Sequence, residues 1–540
     1  MTKNDFVPRK TPSFFGWGHT RALHAGAALL CVTSLAFGCS DDDDNGDPGT
    51  GGSGGTASGG SAGAKTGGAG GTGGTSTNGP GGLGGLGGDD QGGGSQLPVN
   101  APADLATESA SSYDDNEFGV ISGTTLDRWL ADWPANRPRG ITGRLIILQQ
   151  DSKAGVTKFI KHDDEHVFTY GFAEYAYADS QKRNNGLLDT FATIPDGEET
   201  DTILNEFDID LTRDLVVFAF VDEDAVPGAA VDAGAKATKV WYNTRSWWWL
   251  RYWGADARHL AILNGAAEEV LDAASIVTDP SPLPAAPGTF SVKELRVDNT
   301  SLKIDVGELR TLVHDEGDVV LVDPRRKQEY FGEAFASPAN PVNGKRPVFE
   351  GRIKGARFLP WQATLEGVTI GGAPDYAANG VEDAVTTHAL KFKPKAALVA
   401  LYNDDDYVDY DGAAEGAVTI HYCGHGRRAS TWAFISLGVL GIPARLYDGS
   451  WVEWGNLAGG EAGEGEAERP LPENSPWRTD LAELTVHGPF ETPTPGAFYN
   501  DASATVGEQV LEASAAGLDI NPNATHTDAI IRADQAYKED

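Results

Sequence analysis

Twice along this chain a continuous apolar run is followed by a helical stretch, then by a second apolar run closed by Asn-Gly or Asp-Gly. The first copy runs through residues 214–220, with Leu215-Val216-Val217-Phe218-Ala219-Phe220, then the aromatic-rich stretch 239–253, then 259–263 and Asn264-Gly265. The second runs through 417–422, 428–440 and 444–447, closed by Asp448-Gly449. Apolar runs without polar alternation suit strands covered on both faces, which predicts mostly parallel sheets flanked by helices. The recurrence reads as an internal duplication of an α/β unit. A helix over 124–133 and a strand over 143–149 extend the first copy. A helix over 306–313, a strand over 319–322 and a crossing stretch 352–359 extend the second. The Pro-rich segment 279–287 separates them. The expected division is a first unit over 105–290, a second over 298–456, and an extension over 457–540. Helices near 505–516 and 526–538 would pad the second unit or pack across both.

The N-terminal part is not fold. Lys3, Arg9, Lys10 and Arg21 precede an apolar segment over about 25–37, ending in Leu35-Ala36-Phe37-Gly38-Cys39. This is a secretory pattern. It resembles a bacterial lipobox, although Phe37 is bulkier than the small residue usual there. The apolar run is short for a membrane span. Residues 1–38 are therefore expected to be a cleaved signal peptide and Cys39 a lipidated residue. That would make the chain a secreted bacterial lipoprotein of the cell envelope, at the outer membrane on its periplasmic or surface face. Ser40 is compatible with outer-membrane sorting. Residues 40–96 are Gly, Ser, Thr and Asp with almost nothing to bury, and read as a flexible tether spanning on the order of 40 Å. The membrane would be met through the lipid anchor only. The formal charge of −36 repels nucleic acid and anionic lipid heads, so no nucleic-acid partner is expected. It also repels small anions, so any anion site must be locally positive.

The chain has three cysteines. Cys31 lies in the signal segment and Cys39 is taken by the lipid. Cys423 then has no intramolecular partner, and a disulfide scaffold is excluded. Cys423 sits in Thr419-Ile420-His421-Tyr422-Cys423-Gly424-His425-Gly426-Arg427-Arg428, between a strand and a helix. Gly424 and Gly426 let the backbone curl so that N–H groups converge into an anion-binding nest. Arg427 and Arg428 add positive charge inside an acidic protein, and such surroundings favour a thiolate. The competing reading is a buried structural thiol. The histidines show no metal-ligand spacing with cysteine, and no metal or cofactor is expected. Residues 403–412 are acidic but lack calcium-loop spacing: counted back from Gly412, position 12 is Val418 instead of glutamate.

The stretch from His421 to Trp454 resembles the active-site end of a rhodanese, a sulfurtransferase domain. The resemblance is carried by Tyr422-Cys423-Gly424, Leu440-Gly441 and Ala444-Arg445-Leu446-Tyr447-Asp448-Gly449-Ser450-Trp451-Val452-Glu453-Trp454. Upstream, Val320-Leu321-Val322-Asp323-Pro324-Arg325 and Glu329-Tyr330-Phe331-Gly332 are similar to the family's strand and following turn. Phe349-Glu350-Gly351-Arg352-Ile353-Lys354-Gly355-Ala356 matches a second signature imperfectly: Arg352 replaces a histidine and Lys354 a proline. The first half is similar to the same family in residues 216–220, in Trp247-Trp248-Trp249-Leu250-Arg251-Tyr252, and in 260–265. The resemblance implies two rhodanese-like domains, as in tandem thiosulfate and mercaptopyruvate sulfurtransferases, the first inactive because it has no cysteine. It implies a small anionic sulfur donor, a persulfide on Cys423 and a thiophilic acceptor such as cyanide or a thiol. Gly424, His425, Gly426, Arg427 and Arg428 would form the substrate loop, with Asp323, Arg325, Glu329 and Arg352 supporting it. Asp323 and Arg325 read as a bracing charge pair. His425 departs from the lysine of thiosulfate enzymes and the serine of mercaptopyruvate enzymes. Glu329 departs more seriously, because tandem thiosulfate enzymes carry an arginine there. A carboxylate would oppose a dianion unless Arg352, Arg427 or Arg428 compensates.

Two other readings compete. A phosphatase or arsenate reductase of the related fold uses Cys-x5-Arg, but position six after Cys423 is Ala429, and the arginines fall at four and five. A non-catalytic lipoprotein that carries a persulfide would accommodate the unusual His425, Glu329 and Arg352.

Overall fold

The computed structural model describes residues 97–150, 156–173, 181–221, 233–332, 347–372, 375–463, 468–487, 497–498, 505–506, 509–510 and 519–540. The expected signal segment, Cys39 and the tether lie outside these residues. Five strands build the first sheet: β1 (Gly119–Ile121), β2 (Leu145–Gln150), β3 (Val167–Phe172), β4 (Leu215–Phe220) and β5 (Leu260–Leu263). Their order is β1-β5-β4-β2-β3 and every pairing is parallel. All residues of β2 and β4 are buried, which is why both read as unbroken apolar runs. The strand β3 was not anticipated. It lies at the sheet edge, and Thr169 and Gly171 break its apolar run.

The second sheet comprises β6 (Val319–Asp323), β7 (Arg357–Phe358), β8 (Val418–His421) and β9 (Ala444–Leu446), in the order β7-β6-β8-β9, again all parallel. The helices that matter for the site are α1 (Gly123–Ala131), α2 (Gly197–Glu206), α3 (Ala233–Tyr252), α4 (Val306–His314), α5 (Lys395–Asn403), α6 (Arg427–Gly438), α7 (Ser450–Trp454) and α8 (Ala529–Glu539). The ends of α1 and α2 follow from their caps: Ser122 Oγ accepts from the Thr125 N–H, and an Asp196 carboxylate oxygen from the Glu199 N–H.

The 20-residue α3 starts earlier than the sequence suggests. From Trp241 to Trp253 it is buried at every position except Tyr242, so it has no amphipathic stripe from which to judge its length. That burial arises because α3 is covered by its own sheet and also by α6 of the second unit. Thr244 Oγ1 lies 3.0 Å from Ser430 Oγ, and the Trp247 and Phe434 rings meet edge-on with centroids 4.9 Å apart. One hydrophobic cluster contains Val216 and Phe218 of the first sheet, Trp247 of α3, Phe434 of α6 and Val320 of the second sheet. The two units therefore share a continuous core.

The extension corrects one expectation. In place of a helix over 505–516, the described residues there form a short antiparallel pair, Thr505–Val506 with Gln509–Val510. Three of these four residues are β-branched, which favours strand over helix. The expected helix near 526–538 is α8, and it packs across both units. Lys538 Nζ donates to the carbonyls of Trp253, Val292 and Leu295 at 3.1, 2.6 and 2.5 Å. Just before α8, Thr527 Oγ1 accepts the Gly307 N–H of α4 at 3.1 Å. No helix of the described residues is long and apolar enough to cross a membrane.

Candidate active site around Cys423

Parallel strands deliver their loops to one edge, where ligands of open α/β sheets bind. Here β6 ends at Asp323, β8 leads into Cys423, and β9 leads into Asp448. Cys423 is the one free cysteine among the described residues and is 1% exposed. Its loop is clamped to the turn after β9. The Cys423 N–H donates to Ser450 Oγ at 3.1 Å, and Ser450 Oγ donates to the Tyr447 carbonyl at 2.8 Å. The Trp451 N–H reaches the Cys423 carbonyl at 2.8 Å, and the Val452 N–H reaches the Gly424 carbonyl at 3.0 Å. Ser450 adopts φ +51°, a left-handed conformation unusual for a residue with a side chain. Ser450 thus holds the backbone of Cys423 itself, a contact the sequence does not announce.

The loop turns into α6 at Gly426, whose φ is +83°. A Cβ there would lie 2.7 Å from Asp448 Oδ1, so glycine is needed both for its conformation and for space. Arg427 and Arg428 open the helix and are half-buried. The two arginines differ in employment. Arg428 makes a bidentate pair with Glu329, Nη1 to Oε2 at 2.7 Å and Nη2 to Oε1 at 2.8 Å. Arg326 Nε adds a longer contact to Oε2 at 3.3 Å. Burial alone would raise the Glu329 carboxyl, but Arg428, then Arg326 and Arg325, hold it well below the usual carboxylate range. The charge that seemed to oppose a dianion is thus met by Arg428, one of the three candidates for that task. Arg352 is placed over the Tyr330 ring, 4.5 Å from its centroid, and 6.0 Å from that of Phe331.

His425 is held neutral: burial, then Arg427 and Arg428, push it down to about 3. His421, four residues earlier at the end of β8, is fully buried and is pushed down to about 3 by burial alone. Its Nε2 lies 3.0 Å from Thr419 Oγ1. Asp323 and Arg325 form the expected charge pair, with Nη2 to Oδ2 at 2.7 Å and both side chains wholly buried. Arg325 also donates to the Gly351 carbonyl at 2.7 Å and lies 4.5 Å from the Trp451 ring centroid. Tyr422 Oη donates to Asp323 Oδ2 at 2.8 Å, so this knot ties β6 to the residue preceding the cysteine. Arg245 of α3, which sequence reasoning missed, reaches Asp448 Oδ1 at 2.6 Å. Its only signal was an arginine amid tryptophans in a helix buried on all sides.

Chemically, the arrangement offers a sulfur nucleophile, a fixed loop before a helix N-terminus, guanidinium groups at the loop's end and a neutral imidazole. Position six after the cysteine, Ala429, is buried in α6, so no arginine cradles a phosphoryl group from there. The cleft of about 420 Å³ lined by Tyr113, Asn264, Glu366 and Lys391 contains none of these site residues.

Residues 305–457 match the rhodanese-like domain family. The chain is 29% identical over 227 residues to the sulfur carrier protein TtuD of Thermus thermophilus, a match that covers 42% of this chain and 68% of that protein. It is 29% identical over 258 residues to a thiosulfate sulfurtransferase of Corynebacterium glutamicum, covering 46% of this chain and 72% of that protein. Among solved structures, the Tum1 protein of Saccharomyces cerevisiae is similar over 63% of this chain and 95% of that chain, at 16% identity and a TM-score of 0.39.

Proposed function

Because the chain belongs to the tandem rhodanese family and is a sulfurtransferase, we propose that it moves a sulfane sulfur through a persulfide on Cys423. The donor would be thiosulfate or 3-mercaptopyruvate, and the acceptor cyanide or a thiol. The Cys423 thiolate attacks the outer sulfur of thiosulfate. A sulfur–sulfur bond forms to Cys423, the donor's own sulfur–sulfur bond breaks, and sulfite leaves with the electron pair. The acceptor then attacks the outer sulfur of the persulfide, and Cys423 departs as thiolate. Cyanide becomes thiocyanate, and no oxidant or reductant is needed. This is two-step covalent catalysis.

The observation that carries the reading is the placement of Cys423, buried at the carboxyl end of β8, with its loop pinned by Ser450, Trp451 and Val452. Gly424, His425, Gly426, Arg427 and Arg428 would line the donor's path. Asp323, Arg325, Glu329 and Arg352 would hold the surrounding frame. With Arg428 paired to Glu329, a dianion meets less positive charge than two arginines suggest, which favours the less charged mercaptopyruvate. Burial keeps water from the persulfide. The test is thiocyanate formation by the purified chain with each donor in turn, beside Cys423→Ser. Turnover abolished by the substitution is expected; no turnover with either donor would sink the proposal.

The similarity to a protein named a sulfur carrier supports a second reading, in which the chain only holds the persulfide. Loading of one sulfur without repeated turnover would favour it. The sequence pattern around Cys39 supports a further proposal, that the enzyme is lipidated there after loss of residues 1–38 and is leashed to the cell envelope by residues 40–96. Fatty-acid labelling that survives Cys39→Ser would refute it.

A further inference from the structure

The first unit has no cysteine of its own, yet its longest helix reaches the base of the sulfur loop. At the crossing of α3 and α6, Arg245 leaves the first unit with its side chain wholly buried. Its Nη2 lies 2.6 Å from Asp448 Oδ1 and donates to the Ala192 carbonyl at 2.9 Å. A Cβ placed on Gly426 would be 3.1 Å from Arg245 Nη1 and 2.7 Å from Asp448 Oδ1. The guanidinium and the carboxylate are therefore the surface on which the last loop residue before α6 rests. Asp448 also begins the turn whose Ser450 holds the Cys423 N–H. Two routes thus run from Arg245 to the nucleophile, one through Gly426 and one through Asp448 and Ser450.

Stability gives little reason for a guanidinium here, since a buried ion pair adds little over apolar packing of the same volume. Asp448 moreover has a second counter-ion, Lys303, with Nζ 3.0 Å from Oδ2. Lys303 comes from the segment before α4 and meets the carboxylate through its other oxygen. Together the two cations outweigh burial and keep the Asp448 carboxyl below its ordinary range.

We propose that Arg245 is a positioning residue for sulfur transfer: the cysteine-free unit supplies, within one chain, the group that fixes the geometry of the Cys423 loop. This rests on the sulfurtransferase reading above. The test compares Arg245→Gln, Arg245→Lys and Lys303→Gln in the full chain. The readouts are kcat and KM with a turned-over donor, the lifetime of sulfur-loaded Cys423 without acceptor, and the thermal midpoint. Arg245→Gln keeps Asp448 paired with Lys303. Its kcat should fall about tenfold or more while KM changes by less than about twofold, and the loaded state should decay faster. Arg245→Lys should restore part of both. Lys303→Gln removes the other counter-ion of Asp448 but leaves the Arg245 support beneath Gly426 in place; it should lower the thermal midpoint, with a fall in kcat and in loaded lifetime several-fold smaller than that of Arg245→Gln. A purely structural role for Arg245 predicts that Arg245→Gln and Lys303→Gln behave alike, and that result overturns the proposal. If Arg245→Gln does not fold, Arg245→Lys decides: wild-type kcat and lifetime in that variant overturn it as well. A wild-type chain that never loads sulfur defeats the parent reading, and this one with it, and is recognised before any variant is made.

Discussion

The pairing of Glu329 with Arg428 sets how much positive charge is left for a sulfur donor. Both groups are needed to see this, and they lie 99 residues apart in sequence. That is why the sequence showed the problem without showing which arginine answers it. Replacing Glu329 by Gln should release Arg428 towards the donor. The KM for thiosulfate, a dianion, is expected to fall about threefold or more, with a smaller change for 3-mercaptopyruvate. Equal changes for the two donors would contradict this. The same pair makes an acid-stability prediction. The Glu329 carboxyl is held well below the ordinary glutamate value in the fold, so its contribution is complete above that ordinary value and is lost as pH falls towards the folded one. Denaturant unfolding should show wild type losing its advantage over Glu329→Gln as pH drops below the carboxylate range. The place of Cys423 at the end of a buried strand was legible from the apolar run before it, and the Asp323–Arg325 pair because the two sit two residues apart. Ser450 and Arg245 were not, because Ser450 joins loops that follow separate strands and Arg245 joins a helix of the first unit to the turn after β9.

The turn after β9 and the loop after β8 are joined by three hydrogen bonds, so a small change in either is expected to be felt in both. Gly426→Ala must adopt a left-handed conformation and push against Asp448 Oδ1. A destabilisation of about 1–3 kcal/mol is expected in urea unfolding, with loss of sulfur transfer. A silent alanine would show that the loop can move away. Ser450→Ala strands the buried Cys423 N–H, at a cost of about 1–3 kcal/mol. It should lower kcat more than it raises KM; a change in KM alone would assign Ser450 to donor binding. The buried central strands were legible from apolar runs alone. Edge strands β1 and β3 were missed, β1 because it is only three residues long and β3 because Thr169 and Gly171 interrupt its run. The length of α3 was misjudged because burial on all sides removes the stripe by which a helix is measured.

Across the chain, a shared core joins the two units, and α8 is fastened onto both, through Lys538 to Trp253 and through Gln535 to Thr300. The duplicated α/β plan was legible, but the crossing of α3 and α6 was not, since nothing in either pattern says which helix faces meet. The formal charge of −36 adds a property that no single contact reveals. An anionic donor must approach an anionic protein, so screening by salt should raise kcat/KM for thiosulfate. A fall with salt would mean that the local cations of the loop dominate the approach. The proposed reaction requires that sulfur pass through Cys423. Intact-protein mass spectrometry should therefore be run after thiosulfate or 3-mercaptopyruvate, again after cyanide, and again with Cys423→Ser. Gain of one sulfur atom at Cys423, its loss on adding cyanide with matching thiocyanate, and no gain in the variant are predicted. Turnover by wild type without sulfur on Cys423, or undiminished turnover by Cys423→Ser, would contradict transfer through that residue.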